Sequence, residues 1–177
     1  MITIIDPRPV RQHQQSGSGP DAGALSGKRI GIRLDEFWQS WNWVADEWQS
    51  ELKGCGAKSV TWRAPVLKGE SAAAGTEEYK KFLDSVDVAI VGLCNCGSCT
   101  LWAVHDALGA LDRGCPTVLV ATDHFARLAR TLAASSGRGD VRIVVLPYPL
   151  EGLPEDEVRS IARAHLDDLF ATMGVVR

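Results

Sequence analysis

Five short apolar runs, separated by longer amphipathic segments, constrain the fold of this chain more than any other feature. The runs begin at residues 28, 58, 87, 116 and 141 and read KRIGIRL, KSVTWR, DVAIVGL, PTVLVAT and VRIVVLP. Runs of this length are typical of buried strands, and the segments between them carry apolar residues at helical spacing. The first such segment is predicted to form a helix that begins at Glu36 and ends at Gly54 or Gly56, with Trp41 and Trp48 on its buried face. A regular alternation of strands and helices predicts a parallel sheet covered by helices on both faces.

Such a chain favours a three-layer, doubly wound α/β fold of the flavodoxin-like type, with five parallel strands in the order 2-1-3-4-5. We predict that residues 28–177 form one domain, which ends in a single amphipathic helix over residues 153–173. Residues 1–27 are predicted to form an N-terminal arm. The arm is partly flexible in this prediction, because residues 12–26 are rich in Gly, Ser and Gln.

Composition and charge exclude several classes of function. The formal net charge is −3 and no basic excess exists, so nucleic acid is not an expected partner. No apolar run approaches the roughly 18 residues that a membrane span needs, and the N-terminal residues lack the pattern of a signal peptide. The five cysteines are odd in number and clustered, which favours a reducing compartment. We therefore expect a cytoplasmic protein without a membrane partner.

Three of the five cysteines fall within six residues, in the stretch VDVAIVGLCNCGSCTLWAVHDA. They follow the third strand and precede a helix. Backbone N–H groups and the helix dipole at such a turn stabilise a thiolate and lower the pKa of a cysteine there. We predict that Cys96 attacks the substrate, that Cys99 resolves the resulting adduct and that Cys94 takes part as a third thiol. Ser98 is the expected N-cap of the helix.

Two other interpretations of these thiols stay open, namely small buried side chains and a metal site. A structural zinc site usually needs a fourth ligand, and the chain offers no second cluster of Cys and His. The loop LDEFWQSWN after the first strand is acidic and bulky, which argues against a bound flavin phosphate. We predict no cofactor, with a thiolate-bound metal as a minor alternative. Cys55 and Cys115 are expected to be buried and inert.

The strand order also predicts where a ligand binds. Ligands in such sheets lie beyond the carboxyl ends of the strands, here between strands 1 and 3. Asp35 follows strand 1 and is predicted to act as a general acid or to hold a cationic substrate. His105 and Asp106 are predicted to support the site without contacting the substrate. The remaining predicted substrate-binding residues are Glu36, Trp38, Ser98, Thr100, Thr122, His124 and Tyr148.

Four segments of the chain carry a combined pattern, namely DVAIVGLCNCGSCT, VHDA, RGCPTVLVATDHF and VVLPYPLEGLPEDEVRSIA. Together they resemble the UGSC-motif family, which is named for selenocysteine or cysteine followed by Gly-Ser-Cys, and the likeness covers roughly residues 28–161. The resemblance places Cys96 at the selenocysteine position and Cys99 at the partner cysteine. Further matching positions are Thr100, His105, Asp106, Thr122 and Phe125. The chain departs from the family pattern at Tyr148, where a histidine is expected, and at Cys94, which is an additional thiol.

The resemblance implies a chemistry as well as a site. The family is distantly similar to the selenoprotein subunits of glycine and proline reductases, which cleave carbon–nitrogen bonds reductively. We expect a cofactor-free, thiol-dependent reductase acting on a small electrophilic substrate, with a cellular dithiol as reductant. The alternatives are a sulfur-transfer enzyme that carries a persulfide, and a metal-binding or partner subunit without catalysis of its own. The N-terminal arm is a candidate contact in a homo-oligomer or with a partner subunit.

Overall fold

The computed structural model of the protein describes residues 17–65 and 71–176, with the backbone alone for residues 71–74. Strands and helices alternate along these residues, as the sequence predicts. The elements are β1 (Arg29–Leu34), α1 (Gln39–Gly54), β2 (Lys58–Arg63), α2 (Ser71–Leu83), β3 (Val88–Cys94), α3 (Gly97–Leu111), β4 (Thr117–Thr122), α4 (Asp123–Ser135), β5 (Ile143–Leu146), α5 (Glu155–Ala164) and α6 (Leu166–Met173).

The five strands form one parallel sheet in the order β2-β1-β3-β4-β5, which confirms the predicted flavodoxin-like topology. In the register of the central strands, Ile30 of β1 pairs with Val88 of β3 and with Ser59 of β2. Because the strand order reverses between β1 and β3, the loops after these two strands lie side by side at the carboxyl edge of the sheet.

Helices cover the sheet on both faces. One face packs against α1, α5 and α6 and holds Trp41 and Trp48, which are fully buried as the helical spacing predicts. Their rings meet edge to face with centroids 5.8 Å apart. Gly92 of β3 permits this packing, since a Cβ there would lie 2.7 Å from the Trp41 ring. The other face packs against α2, α3 and α4.

The C-terminal segment differs from the prediction, because residues 153–173 form two helices instead of one. The helix breaks at His165, whose φ and ψ are −101° and 12°. Before the break, α5 packs against α1, and after it α6 packs against β4 and β5. The change of direction at His165 lets α6 bury Leu169, Phe170 and Met173 in the core.

The last residues of the predicted N-terminal arm pack against the domain. Ala22 and Leu25 are buried, and the N–H of Ala22 donates to the carbonyl oxygen of Met173 at 2.8 Å. Residues 1–16, and with them the predicted role of the arm in association, lie outside the described residues. No helix in the described part of the chain is long and apolar enough to cross a membrane.

Candidate active site

The loop after β1 is organised by Asp35, which is buried. Its Oδ1 accepts the backbone N–H groups of Phe37 at 2.9 Å and Trp38 at 3.2 Å, and its Oδ2 accepts the N–H of Leu93 at 3.4 Å. These bonds hold residues 35–38 as a loop, so α1 begins at Gln39, later than the sequence pattern suggests. They also tie the loop to the end of β3, next to the cysteine turn.

The turn after β3 presents Cys96 at the N-terminus of α3. Cys96 is the N-cap residue in an extended conformation, so the prediction that Ser98 is the N-cap is wrong. The sulfur of Cys96 accepts the backbone N–H of Cys99 at 3.1 Å, and Ser98 Oγ lies 3.5 Å from the same sulfur. The buried Thr100 fixes the turn from below, because its hydroxyl donates to the Cys96 carbonyl oxygen at 2.5 Å.

These contacts distinguish the two thiols of the Cys-Gly-Ser-Cys motif. Partial burial alone would raise the pKa of Cys96, but hydrogen bonds from Cys99 and Ser98 lower the pKa by more. For Cys99, partial burial and the hydrogen bond and charge of Cys96 raise the pKa to about 11. The indole N–H of Trp38 opposes this rise, although its geometry falls short of a hydrogen bond. Cys96 is therefore the thiol that ionises first.

Cys94 lies in a different environment from the other two thiols. It is fully buried at the end of β3 among the apolar residues beneath α3. Burial raises the pKa of Cys94 to about 12, against the opposing effects of the Arg33 charge and a hydrogen bond with Thr100. A neutral thiol without access to solvent packs like a small apolar side chain. The catalytic part predicted for Cys94 stays a prediction, and its burial does not favour it.

A cleft of about 260 Å³ opens between α2 and α3 and continues to the carboxyl edge of the sheet. Its α3 wall is a stripe of residues that starts at Ser98 and Cys99 and ends at Gly109, and Arg113 lines the cleft just after the helix. Cys96 is not among the described residues that line the cleft. Its sulfur contacts two residues that do line the cleft, because it accepts the backbone N–H of Cys99 and lies 3.5 Å from Ser98 Oγ.

The polar part of the cleft is built around Arg33, whose side chain is only 6% exposed. Its Nε donates to Asp106 Oδ2 at 3.0 Å, and its Nη1 donates to the Gly92 carbonyl oxygen at 2.8 Å. The same Nη1 lies 3.6 Å from Asp35 Oδ2. His105 Nδ1 lies 3.6 Å from Asp106 Oδ1, and the interaction with this carboxylate raises the pKa of His105. The guanidinium thus connects the β1 loop to the middle of α3.

The structure brings some of the predicted site residues to this cleft. Asp35, Ser98 and Cys99 line it, and Trp38 lies beside Cys99. His105 and Asp106 also line the cleft directly, whereas the sequence suggested a place behind the site. Their position follows from the stripe on α3, since residues seven to eight positions after Ser98 return to the same helix face.

Other predicted residues lie apart from the cleft. His124 and Tyr148 stack on each other with ring centroids 4.6 Å apart and contact Phe125, on the side of the sheet edge where α4 begins. Thr122 is fully buried, and its hydroxyl donates to Asn95 Oδ1 at 3.0 Å, so it supports the turn from beneath. Glu36 is exposed and does not line the cleft.

The predicted site lacks several cleft residues, among them Arg33, Tyr79 and Trp102. A charge inside the apolar run KRIGIRL was the available signal for Arg33, because a buried guanidinium requires anionic partners. Tyr79 donates to the carbonyl oxygen of Asp106 at 3.1 Å, and burial raises the pKa of this phenol. Trp102 is 46% exposed, which is unusual for so large an apolar side chain, but its exposure is visible only in the structure.

Cys55 also differs from its prediction, because it is exposed instead of buried. Cys115 is half-buried, and burial raises its pKa to about 11. Among the described residues, no group of three or more His, Cys, Asp and Glu side chains is arranged to hold a metal ion.

Comparison with known proteins assigns the chain to a family. The family model of the UGSC family matches residues 3–175, nearly the whole sequence. The chain belongs to the UGSC family. The match includes the Cys-Gly-Ser-Cys motif that forms the turn described above. No curated protein sequence matches the chain.

Two solved structures are similar to the chain at low sequence identity. A mutant flavo di-iron protein from Thermotoga maritima superposes with a TM-score of 0.50 and 13% identity, covering 80% of this chain and 36% of that chain. A periplasmic ribose ABC transporter protein from Conexibacter woesei superposes with a TM-score of 0.41 and 14% identity, covering 90% of this chain and 55% of that chain. The chain therefore spans less than two thirds of either protein. The first likeness shows the fold alone, and the second is too distant to support an argument.

Proposed function

We propose that this member of the UGSC family is a thiol-dependent reductase of small electrophilic molecules, with Cys96 as the nucleophile and Cys99 as the resolving thiol. The observation that carries the proposal is the asymmetry of the pair. The Cys96 sulfur accepts an N–H at the start of α3 and has a lowered pKa, whereas the pKa of Cys99 is raised to about 11. A thiolate beside a protonated thiol is the arrangement that attack followed by resolution requires.

The reaction has two steps. The Cys96 thiolate attacks the electrophilic atom of the substrate and forms a bond to sulfur, and the leaving group departs with the electron pair of the broken bond and takes up a proton. Cys99 then loses its proton and attacks the Cys96 sulfur, which forms a disulfide and releases the remaining fragment as a protonated, reduced product. In total, two thiols are oxidised to one disulfide, and the substrate gains two electrons and two protons. A small dithiol reduces the disulfide for the next turnover.

A direct test uses bis(2-hydroxyethyl) disulfide as a model electrophile, with dithiothreitol as the final reductant. In wild-type protein we expect turnover and, without dithiothreitol, a Cys96–Cys99 disulfide detected by peptide mapping. Cys99→Ser should stop at the first step and retain a stable mixed disulfide on Cys96. Cys96→Ser should form no adduct at this turn.

The matched control is Cys55→Ser, because Cys55 is an exposed thiol outside the motif. This variant should leave both the bridge and the turnover unchanged. The proposal fails if oxidation produces no bridge between Cys96 and Cys99, or if Cys99→Ser turns over like the wild type. An additional mass of about 32 on Cys96 in the purified protein would instead favour the sulfur-transfer alternative.

A further inference from the structure

The charges in the cleft are already neutralised by the protein itself. Every charged side chain among the described residues that line the cleft has an ion-pair partner. The pairs are Arg33 with Asp35 and Asp106, His105 with Asp106, Lys80 with Glu77, and Arg113 with Asp84. The pairs of Arg33 are buried, so a charged ligand beside them would have to compete with these partners and lose its own hydration, which disfavours its binding. The pairs of Lys80 and Arg113 are exposed to solvent and oppose a charged ligand only weakly. The cleft therefore favours an uncharged molecule.

The walls of the cleft are rich in aromatic side chains. Trp62 and Tyr79 line one side, with ring centroids 4.7 Å apart, and Trp102 lies on the α3 side. Phe37 comes from the β1–α1 loop. Phe37 and Trp102 are 60% and 46% exposed, although both are large apolar side chains. Rings of this kind bind flat apolar ligands through stacking and burial of apolar area.

The size of the cleft limits the ligand. Its volume is about 260 Å³, whereas an apolar cavity of roughly 150 Å³ is sufficient for benzene. The cleft therefore holds one aromatic ring with a short substituent. At the carboxyl edge of the sheet it is lined by Ser98 and Cys99, and the Cys96 sulfur lies 3.5 Å from Ser98 Oγ. The end of the cleft that is lined by Ser98 and Cys99 is thus the end next to the reactive thiol.

We propose that the α2–α3 cleft selects an uncharged electrophile that carries one flat, apolar ring, and that Trp102 and Phe37 bind this ring while Cys96 attacks the substituent. This inference rests on the proposed function and names its substrate class. The ring is the part that the protein recognises, and the electrophilic atom is the part that reacts.

The test compares two reagents that share one reactive group. Bromoacetamide and N-benzylbromoacetamide both alkylate a thiolate by forming a sulfur–carbon bond and releasing bromide. The rate at Cys96 is measured for each by peptide mapping and divided by the rate of the same reagent with glutathione. We expect the benzyl reagent to be favoured at Cys96 by at least about tenfold after this normalisation, as burial of much of a phenyl ring implies.

Two exposed apolar residues on adjacent positions of α3 provide a matched pair of variants. Trp102→Ala removes a cleft wall and should abolish most of the benzyl preference. Leu101→Ala removes a residue that is 52% exposed but does not line the cleft, and the preference should persist. Both side chains are largely exposed, so neither variant should unfold the protein. Equal losses in the two variants would overturn the assignment of the ring to this cleft.

Charged analogues test the second half of the inference. Reagents with a para-carboxyl or a para-aminomethyl group on the ring should both show less preference than the neutral benzyl reagent. A higher rate for either charged reagent would refute the selection of uncharged molecules.

The outcomes also separate this inference from the proposed function. Fast reaction of bromoacetamide at Cys96 without a benzyl preference contradicts the inference alone, whereas unreactive Cys96 with both reagents contradicts the proposed function.

Discussion

The two faces of the sheet close in different ways. On the α1 face, Trp41 and Trp48 are fully buried, and their indole N–H groups donate to the carbonyl oxygens of Arg33 at 3.0 Å and Ala162 at 2.8 Å. On the α2–α3 face, Trp62 and Trp102 line a cleft instead of filling a core. Large aromatic side chains therefore stabilise the fold on the α1 face, which we call the closed face. On the α2–α3 face, which we call the open face, they are available for binding.

The difference originates in one strand. Arg33 directs its backbone carbonyl to Trp41 on the closed face, while its guanidinium binds Asp106 under the open cleft. Apolar side chains cannot fill the space above this ion pair without removing its remaining hydration, which costs free energy. The buried charge in β1 thus disfavours an apolar core in the gap between α2 and α3, where the opposite face has one.

The largest expected effect concerns the thiol beside the cleft. Cys96→Ser should abolish turnover and remove the most reactive alkylation site, because a hydroxyl at this position is not ionised near neutral pH. The melting temperature should change little, since Cys96 contributes no core packing. The measurement is alkylation with bromoacetamide at several pH values, with the exposed Cys55 as an internal reference. In the wild type, Cys96 should be labelled first at neutral pH, and labelling of Cys55 before Cys96 would contradict the nucleophile assignment.

The next effect separates the two faces by stability. Trp48→Ala should lower the free energy of unfolding by about 3–5 kcal/mol, because it leaves a cavity and an unpaired carbonyl in a closed core. Trp102→Ala should lower it by less than about 1 kcal/mol, since the side chain is half exposed. Urea denaturation followed by circular dichroism measures both values. Comparable losses in the two variants would show that the α2–α3 face is as tightly packed as the α1 face.

The sequence was sufficient for the closed face and insufficient for the open one. Strand order and the burial of Trp41 and Trp48 follow from periodicity, because apolar spacing reports directly which side of an element faces the core. The family motif located Cys96 and Cys99. The position of the cleft depends on where the guanidinium of Arg33 lies and on which residues of α3 face α2. Both are decided by tertiary packing, which local patterns do not encode.

The smaller corrections have the same origin. Ser98 was expected to cap α3 because hydroxyls favour that position, but the extended backbone of Cys96 places its own sulfur on the N–H of Cys99. Likewise, α1 was expected to begin before Gln39, yet Asp35 accepts the N–H groups that would start the helix earlier. In both cases a hydrogen bond from a backbone N–H to a side chain determines where the helix begins.

A third prediction asks whether Asp35 belongs to the chemistry or to the framework of the open face. Asp35→Asn should lower the free energy of unfolding by about 1–3 kcal/mol, because the new amide NH₂ cannot accept the N–H of Leu93 and opposes Arg33. The rate at which Cys96 is alkylated should change little. Glu36→Gln is the matched control, and this exposed neighbour should affect neither quantity. A fall in kcat/KM of about a hundredfold with unchanged stability would instead identify Asp35 as the general acid.

The smallest effect concerns His105, the most exposed charged group of the cleft. Asp106 raises the pKa of His105 in the folded protein. A raised pKa means that the pair stabilises the fold at pH values below the unfolded pKa of histidine, and that this contribution is lost as the pH rises through the folded pKa. The His105 side chain is 70% exposed, so solvent screens the pair and limits the effect to a few tenths of a kcal/mol.

His105→Gln should therefore lower the melting temperature slightly at about pH 5.5, below the unfolded pKa of histidine, and leave it unchanged at a pH above the folded pKa, where the imidazole is neutral. His165→Gln is the control for a general loss of histidine charge, because His165 contacts a backbone carbonyl oxygen and no carboxylate is paired with it among the described residues. Equal effects of His105→Gln at both pH values would show that the charge pair with Asp106 contributes nothing to stability. The ring would then stabilise the cleft by packing, for example against Trp102, whose ring centroid lies 6.4 Å away. The charge pairs beneath the open face would then be those of Arg33 with Asp35 and Asp106, and His105 would serve as a wall of the cleft.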